Sequence, residues 1–326
     1  MDIREKIGQR LVFGFPGTTI PAEVAALVRE YKIGNVILFR YNIESLPQLA
    51  RLCADIQELV RGATGRDAFI TIDQEGGMVT RLPWDAVNVP GSMALAATGK
   101  PENAVLAAEI TARQLRGVGV NFNLAPDLDV NSNPMNPVIG VRSFGDDPQS
   151  VALFGTKAVE GYKNGGMLCC GKHFPGHGDT AVDSHIGLPC IEKTMDELEA
   201  CELISFRAAI KAGADIVVGT HPHIVQGIEA YQDSYILYSL GNLVFGGNVD
   251  PDDRDAYLAR VTFTVYEDHC DAPELTVVPI RLTALDKGTD YRPVVADEAD
   301  SARIFKRIMK LSSGMGDFVN GELTAY

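Results

Sequence analysis

The chain has 326 residues, of which 46% are hydrophobic and 22% charged, so it is long enough to bury a sizeable core in one large domain or two smaller ones. Its formal net charge of -14 would repel phosphate backbones and anionic lipids, which argues against nucleic acid or a membrane as partner. A polar N-terminus and the lack of any apolar run near ~20 residues predict a cytoplasmic protein.

Short β-branched runs alternate with helical patterns over the first two thirds of the chain. The runs lie at 10–15, 34–39, 68–73, 119–126, 167–174 and 214–221. Helices are predicted at 45–63, 101–119 and 194–213, from apolar residues spaced three and four apart, with Ser45 and Thr194 as N-caps. This alternation is typical of βα units around a mostly parallel sheet.

Polar clusters follow three of the runs, at residues 73–77, 125–127 and 172–174. In a (β/α)8 barrel the active site is assembled at the carboxyl ends of the strands. The sequence therefore favours an α/β fold with a (β/α)8 TIM-barrel-like N-terminal part, which has its site at this edge.

The pattern changes after about residue 215. The stretch 235–247 and two alternating strands within 256–283 have no helix between them, which is typical of antiparallel pairing, and a closing helix is predicted at 297–314. We therefore expect two regions, a barrel-like region over 1–215, incomplete on its own, and an antiparallel β-rich segment over 216–326.

The densest motif is K-H-F-P-G-H-G-D-T at 172–180, continued by D-S-H at 183–185. It collects histidines and carboxylates in one glycine-rich loop, which a purely structural loop rarely needs. Together with D-Q-E-G-G at 73–77, Arg81 and V-I-G-V-R-S-F-G at 138–145, it resembles family 3 glycoside hydrolases of the β-N-acetylglucosaminidase type over roughly residues 1–215.

The resemblance implies a hydrolase that acts on terminal β-linked N-acetylglucosamine in peptidoglycan or chitin fragments, a small carbohydrate, without metal or other cofactor. Five residues would bind the sugar: Asp73, Arg81, Arg142, Lys172 and His173. Asp73 would accept hydrogen bonds and the other four would donate them. His185 would be the general acid/base, oriented by Asp183, because imidazole titrates near working pH and a carboxylate fixes its tautomer.

One part of this pattern is missing. A retaining glycosidase needs a second carboxylate as nucleophile, ~5–5.5 Å from the acid/base group. The family carries it in a segment similar to G-V-x-x-S/T-D-D-L, which this sequence lacks, and Asp233, Asp250 and Asp252 lie in polar turns with no preceding apolar strand. A non-catalytic sugar-binding protein, or an inactive chimera, is therefore the alternative.

Residues 205–285 carry a second resemblance, through A-G-A-D-I-V-V-G-T-H-P-H at 212–223 and S-L-G-N at 239–242. They are similar to the end of capsule and poly-γ-glutamate synthesis proteins with a calcineurin-like metallophosphoesterase fold. There His221 and His223 would be metal ligands, but no G-N-H-D motif lies upstream, and D-S-H at 183–185 and G-D at 178–179 belong to the glycosidase-like loop. A metal-dependent phosphoesterase is the third alternative. Together the two resemblances indicate a chimera of two family fragments.

Overall fold

The structure, a computed structural model, describes residue 5 and residues 8–180, 193–212, 216–218, 224–231, 234–237, 239–242, 253–262, 274–285, 287–290 and 292–312. Several residues singled out by the sequence lie outside these ranges: Asp183, His185, His221, His223, Asp233, Asp250 and Asp252.

The first region is built on a parallel sheet of five strands. These are β1 (Val12–Phe13), β2 (Asn35–Leu38), β3 (Phe69–Ile72), β4 (Phe122–Asn123) and β5 (Leu168–Cys169). Each strand pairs in parallel with the next one along the chain, so the first five predicted runs are confirmed as neighbours. An eight-stranded closed barrel is not seen among the described residues.

Helices cover this sheet and connect its strands. They are α1 (Ala22–Tyr31), α2 (Leu46–Thr64), α3 (Ser92–Ala96), α4 (Glu102–Gly117), α5 (Pro148–Asn164), α6 (Met195–Ala200) and α7 (Glu202–Lys211). The predicted caps are confirmed, since Ser45 Oγ accepts from Gln48 N and Thr194 forms a capping box with Glu197. The single helix predicted over 194–213 is wrong, because the backbone leaves helical geometry at Cys201 and separates α6 from α7.

The core of the first region lies between the sheet and its helices. Leu38, Ile70 and Ile72 are fully buried on the strands, and full burial of such a side chain contributes roughly 1.5–3 kcal/mol. Helices α4 and α5 approach closely where Gly161 faces the Val105 carbonyl, since a Cβ there would lie 2.3 Å from that oxygen. A larger residue at position 161 would force the two helices apart.

Among its described residues, the second region has six strands and one helix. They are β6 (Ile216–Val218), β7 (Ile228–Tyr231), β8 (Ser234–Leu237), β9 (Asp255–Thr262), β10 (Glu274–Arg281), β11 (Val294–Val295) and α8 (Glu298–Leu311). The predicted antiparallel pairing is confirmed, in β7 with β8 and over eight residue pairs in β9 with β10.

The sixth predicted run does not extend the first sheet. It forms β6, which pairs in parallel with β8 in a separate sheet of three strands. An apolar run predicts a strand but does not predict which strand it pairs with. Here β8 pairs with β6 along one edge and with β7 along the other. The expectation that all six runs are adjacent was therefore wrong for this one.

The second region has a hydrophobic cluster of its own. Val225, Ile228, Leu237, Tyr257 and Ile304 are buried together between the two small sheets and α8. This cluster shares no member with those of the first region. Among the described helices, none is long and apolar enough to cross a membrane.

Candidate functional site

Seven charged or titratable side chains meet at the carboxyl edge of the parallel sheet. Asp73 and Glu75 follow β3, Asp127 and Asp129 follow β4, Arg142 ends a 3-10 turn (Gly140–Arg142), and Lys172 and His173 follow β5. Parallel strands present their carboxyl ends at one edge, so residues about 100 positions apart come into contact there. The clusters predicted at 73–77, 125–127 and 172–174 therefore do lie at one edge, and Asp129 and Arg142 join them there.

Lys172 joins two of the carboxylates. Its Nζ lies 2.7 Å from Asp73 Oδ1 and 2.6 Å from Glu75 Oε1. Burial opposes the charge of Lys172, but the two carboxylates outweigh it and raise its pKa. The lysine is therefore a fixed cation between the two residues that follow β3.

Arg142 holds Glu75 from the other side. Its Nε and Nη2 atoms each donate to one Glu75 oxygen at 2.9 Å, a bidentate contact that fixes the plane of both groups. Burial alone would raise the pKa of Glu75, yet Arg142 and Lys172 lower it to about 2. Glu75 is thus an ionised, buried support for the two cations.

His173 is hydrogen-bonded through both ring nitrogens. Its Nδ1 lies 2.6 Å from Asp129 Oδ2, and its Nε2 lies 3.1 Å from Arg142 Nη2. Because burial lowers the pKa of His173 to about 4, the ring is neutral at pH 7. Nδ1 then carries the proton and donates to Asp129, and Nε2 accepts from Arg142.

Asp127 is the least compensated member of the cluster. Its Oδ1 accepts from Asp129 N at 2.9 Å, whereas its buried Oδ2 has no hydrogen-bond partner among the described residues. Burial and the neighbouring Asp129 raise the pKa of Asp127 to about 8, so it is largely protonated at neutral pH. Burial also raises the pKa of Asp129, to about 6.

Asp127, Asp129 and His173 each have a possible ligand atom within 4.8 Å of the others, the spacing of a metal site. Arg142 Nη2 already lies 3.7 Å from Asp127 Oδ2 and supplies positive charge at that point. Nδ1 of His173, which faces Asp129, carries a proton and therefore cannot also bind a metal ion. This donor set suits a hydrogen-bonded network better than a divalent cation.

A turn after β3 forms one wall of the site. Gly76 and Gly77 have positive φ values of 93° and 56°, and a Cβ at Gly76 would lie 2.9 Å from the Pro90 carbonyl oxygen. Beside this turn is a cavity of about 400 Å³, whose lining includes Glu75 and Arg142 together with apolar side chains such as Met78 and Val141. The glycines allow the chain to approach closely enough to shape this cavity.

The structure brings together four of the five predicted sugar-binding residues. Arg81 is the exception: its backbone N–H donates to Gln74 Oε1 at 2.8 Å, while its buried Nε has no hydrogen-bond partner among the described residues. Sequence reasoning gave no role to Glu75, Asp127 or Asp129. The available signal was their spacing, since each lies two residues from another carboxylate directly after a strand.

The family model described as the glycosyl hydrolase family 3 N terminal domain matches residues 2–246, three quarters of the chain and beyond the expected boundary at 215. Beta-hexosaminidase A of Pseudoalteromonas piscicida is 40% identical over 200 residues, which are 60% of this chain and 33% of that protein. Beta-hexosaminidase of Stenotrophomonas maltophilia is 35% identical over 254 residues, 74% of each chain.

Solved structures give the same relationship. A glycoside hydrolase family 3 beta-N-acetylglucosaminidase from Paenibacillus sp. is 44% identical with a TM-score of 0.66, over 68% of this chain and 42% of that one. NagZ from Neisseria gonorrhoeae is 32% identical with a TM-score of 0.59, over 65% and 62%. The chain thus spans a third to three quarters of the length of these relatives.

Proposed function

The chain belongs to glycosyl hydrolase family 3, and from this premise we propose that it hydrolyses terminal β-linked N-acetylglucosamine in small saccharides such as peptidoglycan or chitin fragments. The observation that carries the proposal is the convergence of Asp73, Arg142, Lys172 and His173 at one edge of the parallel sheet. The names of the relatives, beta-hexosaminidase and beta-N-acetylglucosaminidase, support the same reaction and sugar.

In this proposal Asp73 and Lys172 contact the sugar directly. The side chain of Asp73 is 18% exposed, more than those of Glu75, Asp127 and Asp129, which are at most 3% exposed. It is therefore the carboxylate best placed to accept from a sugar hydroxyl. A ligand that lacks this hydroxyl would not make the hydrogen bond to Asp73, so the site would discriminate against it.

Arg142 and His173 are the other two members of the set, with side chains that are 13% and 21% exposed. Each of them is held by carboxylates, so their positions are set before the sugar arrives. We propose that Arg142 donates to the sugar through guanidinium N–H groups that are not already used in hydrogen bonds. We assign His173 the role of orienting Arg142. Arg81 remains a proposed donor, and its buried Nε is the atom that a ligand would have to reach.

Proton transfer is assigned to His185 with Asp183, as the family resemblance implies. A histidine oriented by a carboxylate can give a proton to the leaving oxygen and later take one from water, which contributes typically 10²–10⁴ in rate. We also propose that the five parallel strands are part of a (β/α)8 barrel over 1–215, and that the tail over 216–326 is similar to that of capsule-synthesis proteins. A cytoplasmic location and a chimeric origin belong to the same proposal.

A second candidate function is sugar binding without turnover. The observation that favours it is the missing segment similar to G-V-x-x-S/T-D-D-L, which would carry the nucleophile. In that case the protein binds the sugar without hydrolysing it, because the described residues can hold the sugar but no nucleophile forms the covalent glycosyl-enzyme.

One pair of measurements tests both candidates. Turnover is followed with 4-methylumbelliferyl N-acetyl-β-glucosaminide, and binding of N-acetylglucosamine by calorimetry, for the wild type and for Asp73→Asn, Lys172→Met and His185→Ala. Asp67→Asn, at an exposed ion pair with Arg61, is the matched control. Turnover lost in all three site variants supports hydrolysis, and binding without turnover supports the second candidate. Absence of both contradicts the two together.

A further inference from the structure

Gln74 connects the loop that carries Arg81 to the carboxyl end of strand β3. Its two neighbours in the chain are the carboxylates that contact Lys172, but its own side chain is buried and reaches a different part of the chain. Gln74 Oε1 accepts from the backbone N–H groups of Arg81 and Leu82, at 2.8 and 3.1 Å. One side-chain oxygen therefore holds two consecutive residues of this loop.

Gln74 is itself held by Asn123, the last residue of strand β4. Asn123 Oδ1 accepts from Gln74 N at 3.0 Å, and Asn123 Nδ2 donates to Gln74 O at 2.9 Å and to the Tyr162 hydroxyl at 3.1 Å. The amide thus pairs with both backbone groups of Gln74, as a neighbouring strand would, beyond the point where β3 ends. Both side chains are buried, so displacing either one would leave polar groups unpaired away from water.

The side chain of Arg81 lacks the carboxylate partners that fix Arg142 and Lys172. In the described part of the chain Arg81 makes no ion pair, and its buried Nε has no hydrogen-bond partner there. The backbone of Arg81 is nevertheless fixed, by Gln74 on one side and by the buried Leu82 on the other. A guanidinium that is placed through its backbone and left unpaired at its side chain is prepared to donate to a ligand.

We propose that Gln74 is a positioning residue, which holds Arg81 where its guanidinium donates to the bound sugar. The inference rests on the proposed function for the identity of the ligand. Gln74 itself does not contact the sugar, because its side chain is used by the backbone of residues 81 and 82. Loss of Gln74 Oε1 would free this backbone, and the sugar would lose the hydrogen bond from Arg81 although Arg81 is still present.

Gln74→Met is the sharpest variant, because methionine is similarly long and unbranched but has no acceptor oxygen. Gln74→Glu is the conservative variant, which keeps an acceptor oxygen at the same position. Gln57→Met is the matched control. Gln57 on helix α2 accepts from Ala68 N at 2.9 Å and donates to Ala68 O at 3.0 Å, so it holds the backbone at the opposite end of strand β3.

A double-mutant cycle measures whether Gln74 acts through Arg81. Calorimetry gives the affinity for N-acetylglucosamine of the wild type, Gln74→Met, Arg81→Met and the double variant. We expect each single variant to lower the affinity about tenfold, as loss of one hydrogen bond from a charged donor would. The double variant should bind within about twofold of Arg81→Met, because the position of residue 81 no longer matters once its guanidinium is gone.

Several results of this cycle would overturn the proposal. They are unchanged affinity in Gln74→Met, and losses that multiply in the double variant. Gln74→Glu should recover most of the affinity, and Gln57→Met should bind as the wild type does. An equal loss in Gln57→Met would show a general structural role and contradict positioning. If Gln74→Met does not fold, Gln74→Asn takes its place, because its shorter side chain leaves the oxygen out of reach of both N–H groups.

Hydrogen exchange tests the same contact without a ligand. A peptide covering 79–86, followed by mass spectrometry, contains the amides of Arg81 and Leu82. We expect these amides to exchange several-fold faster in Gln74→Met and to match the wild type in Gln57→Met. Unchanged exchange in Gln74→Met overturns the proposal. If the wild type does not bind N-acetylglucosamine, the proposed function fails, and hydrogen exchange alone decides whether Gln74 holds Arg81.

Discussion

The two regions of the molecule place their ion pairs differently. In the first region Arg142 and Glu75 pair at the sheet edge with side chains that are 13% and 3% exposed. In the second region Arg303 and Arg307 of helix α8 pair with Asp255, the first residue of strand β9, and with Asp253 just before it. The two arginines are 51% and 29% exposed, and the two aspartates are 7% and 23% exposed. In the first set both partners are buried among other charges, and in the second set the arginines reach solvent although Asp255 itself is buried.

This difference separates ion pairs that support a site from ion pairs that support packing. Burying a charge costs several kcal/mol, which mutual attraction offsets only when the geometry is good. The first region bears this cost for a cluster that also contains Asp127, whose Oδ2 has no hydrogen-bond partner among the described residues. Stability alone does not account for such an arrangement, so we interpret the cluster as prepared for a ligand.

The largest effect is expected for Arg142→Met. It leaves Glu75 ionised and buried with only Lys172 as partner, and it removes the donor to His173 Nε2. Loss of one partner of a buried pair costs about 3–5 kcal/mol of unfolding free energy. Urea denaturation measures it, with Arg61→Met at an exposed ion pair as control. A loss no greater than that of the control would contradict the comparison.

The next effect is expected in the second region, for Ile304→Ala. Ile304 is fully buried between α8 and the small sheets, and a substitution of this kind costs ~2–5 kcal/mol. Because the two regions have separate hydrophobic clusters, amide exchange should rise in β9 and β10 and remain unchanged in β3. Met309→Ala, at a half-exposed position on the same helix, is the control. Equal increases in both regions would show one cooperative unit instead.

A pH-dependent effect is expected at Asp127. Its pKa in the folded state is raised to about 8 from an ordinary 3.8, so the folded state binds more protons between these values. Asp127 therefore contributes stability at low pH that is lost as the pH rises toward 8. Asparagine resembles the neutral acid at every pH. Relative to the wild type, Asp127→Asn should gain stability from pH 5 to pH 8 by up to about 1.4 kcal/mol per pH unit.

Urea denaturation of both proteins at pH 5, 6.5 and 8 tests this. Two stability profiles that stay parallel would mean that Asp127 is ionised in the folded protein at all three values. In that case Arg142, whose Nη2 lies 3.7 Å from Asp127 Oδ2, would balance the negative charge of Asp127.

The sequence predicted where strands and helices form better than it predicted which residues and strands contact each other. Strand ends followed by polar motifs located Asp73 and Lys172 at the same edge, because parallel strands impose this. Their ion pair joins positions 99 apart, and no local pattern specifies it. The same limit explains the run at 214–221, whose apolar residues predicted strand β6 but could not say that it pairs with β8.

The break at Cys201 shows a related limit. The spacing of apolar residues is helical on both sides of it, so the sequence predicted one helix. The structure starts a new helix there, and the side chain of Glu202 is buried at its first position, where it pairs with Lys193. A tertiary contact of this kind overrides local helix preference, which amounts to less than ~1 kcal/mol for an ordinary residue.

The smallest effect is expected for Arg307→Gln in the second region. Arg307 Nη1 lies 2.6 Å from Asp253 Oδ2, and both side chains are between a fifth and a third exposed, so water and salt screen the pair. We expect a loss of ~0.2–1 kcal/mol of unfolding free energy, which disappears in 1 M salt, where charges are screened beyond ~3 Å. The buried Arg142 pair should keep its contribution under the same conditions, because its side chains have little contact with the solution. Denaturation of both arginine variants at low and high salt therefore tests the contrast between the regions. A loss in Arg307→Gln that persists in 1 M salt would mean that this pair also acts as a buried one.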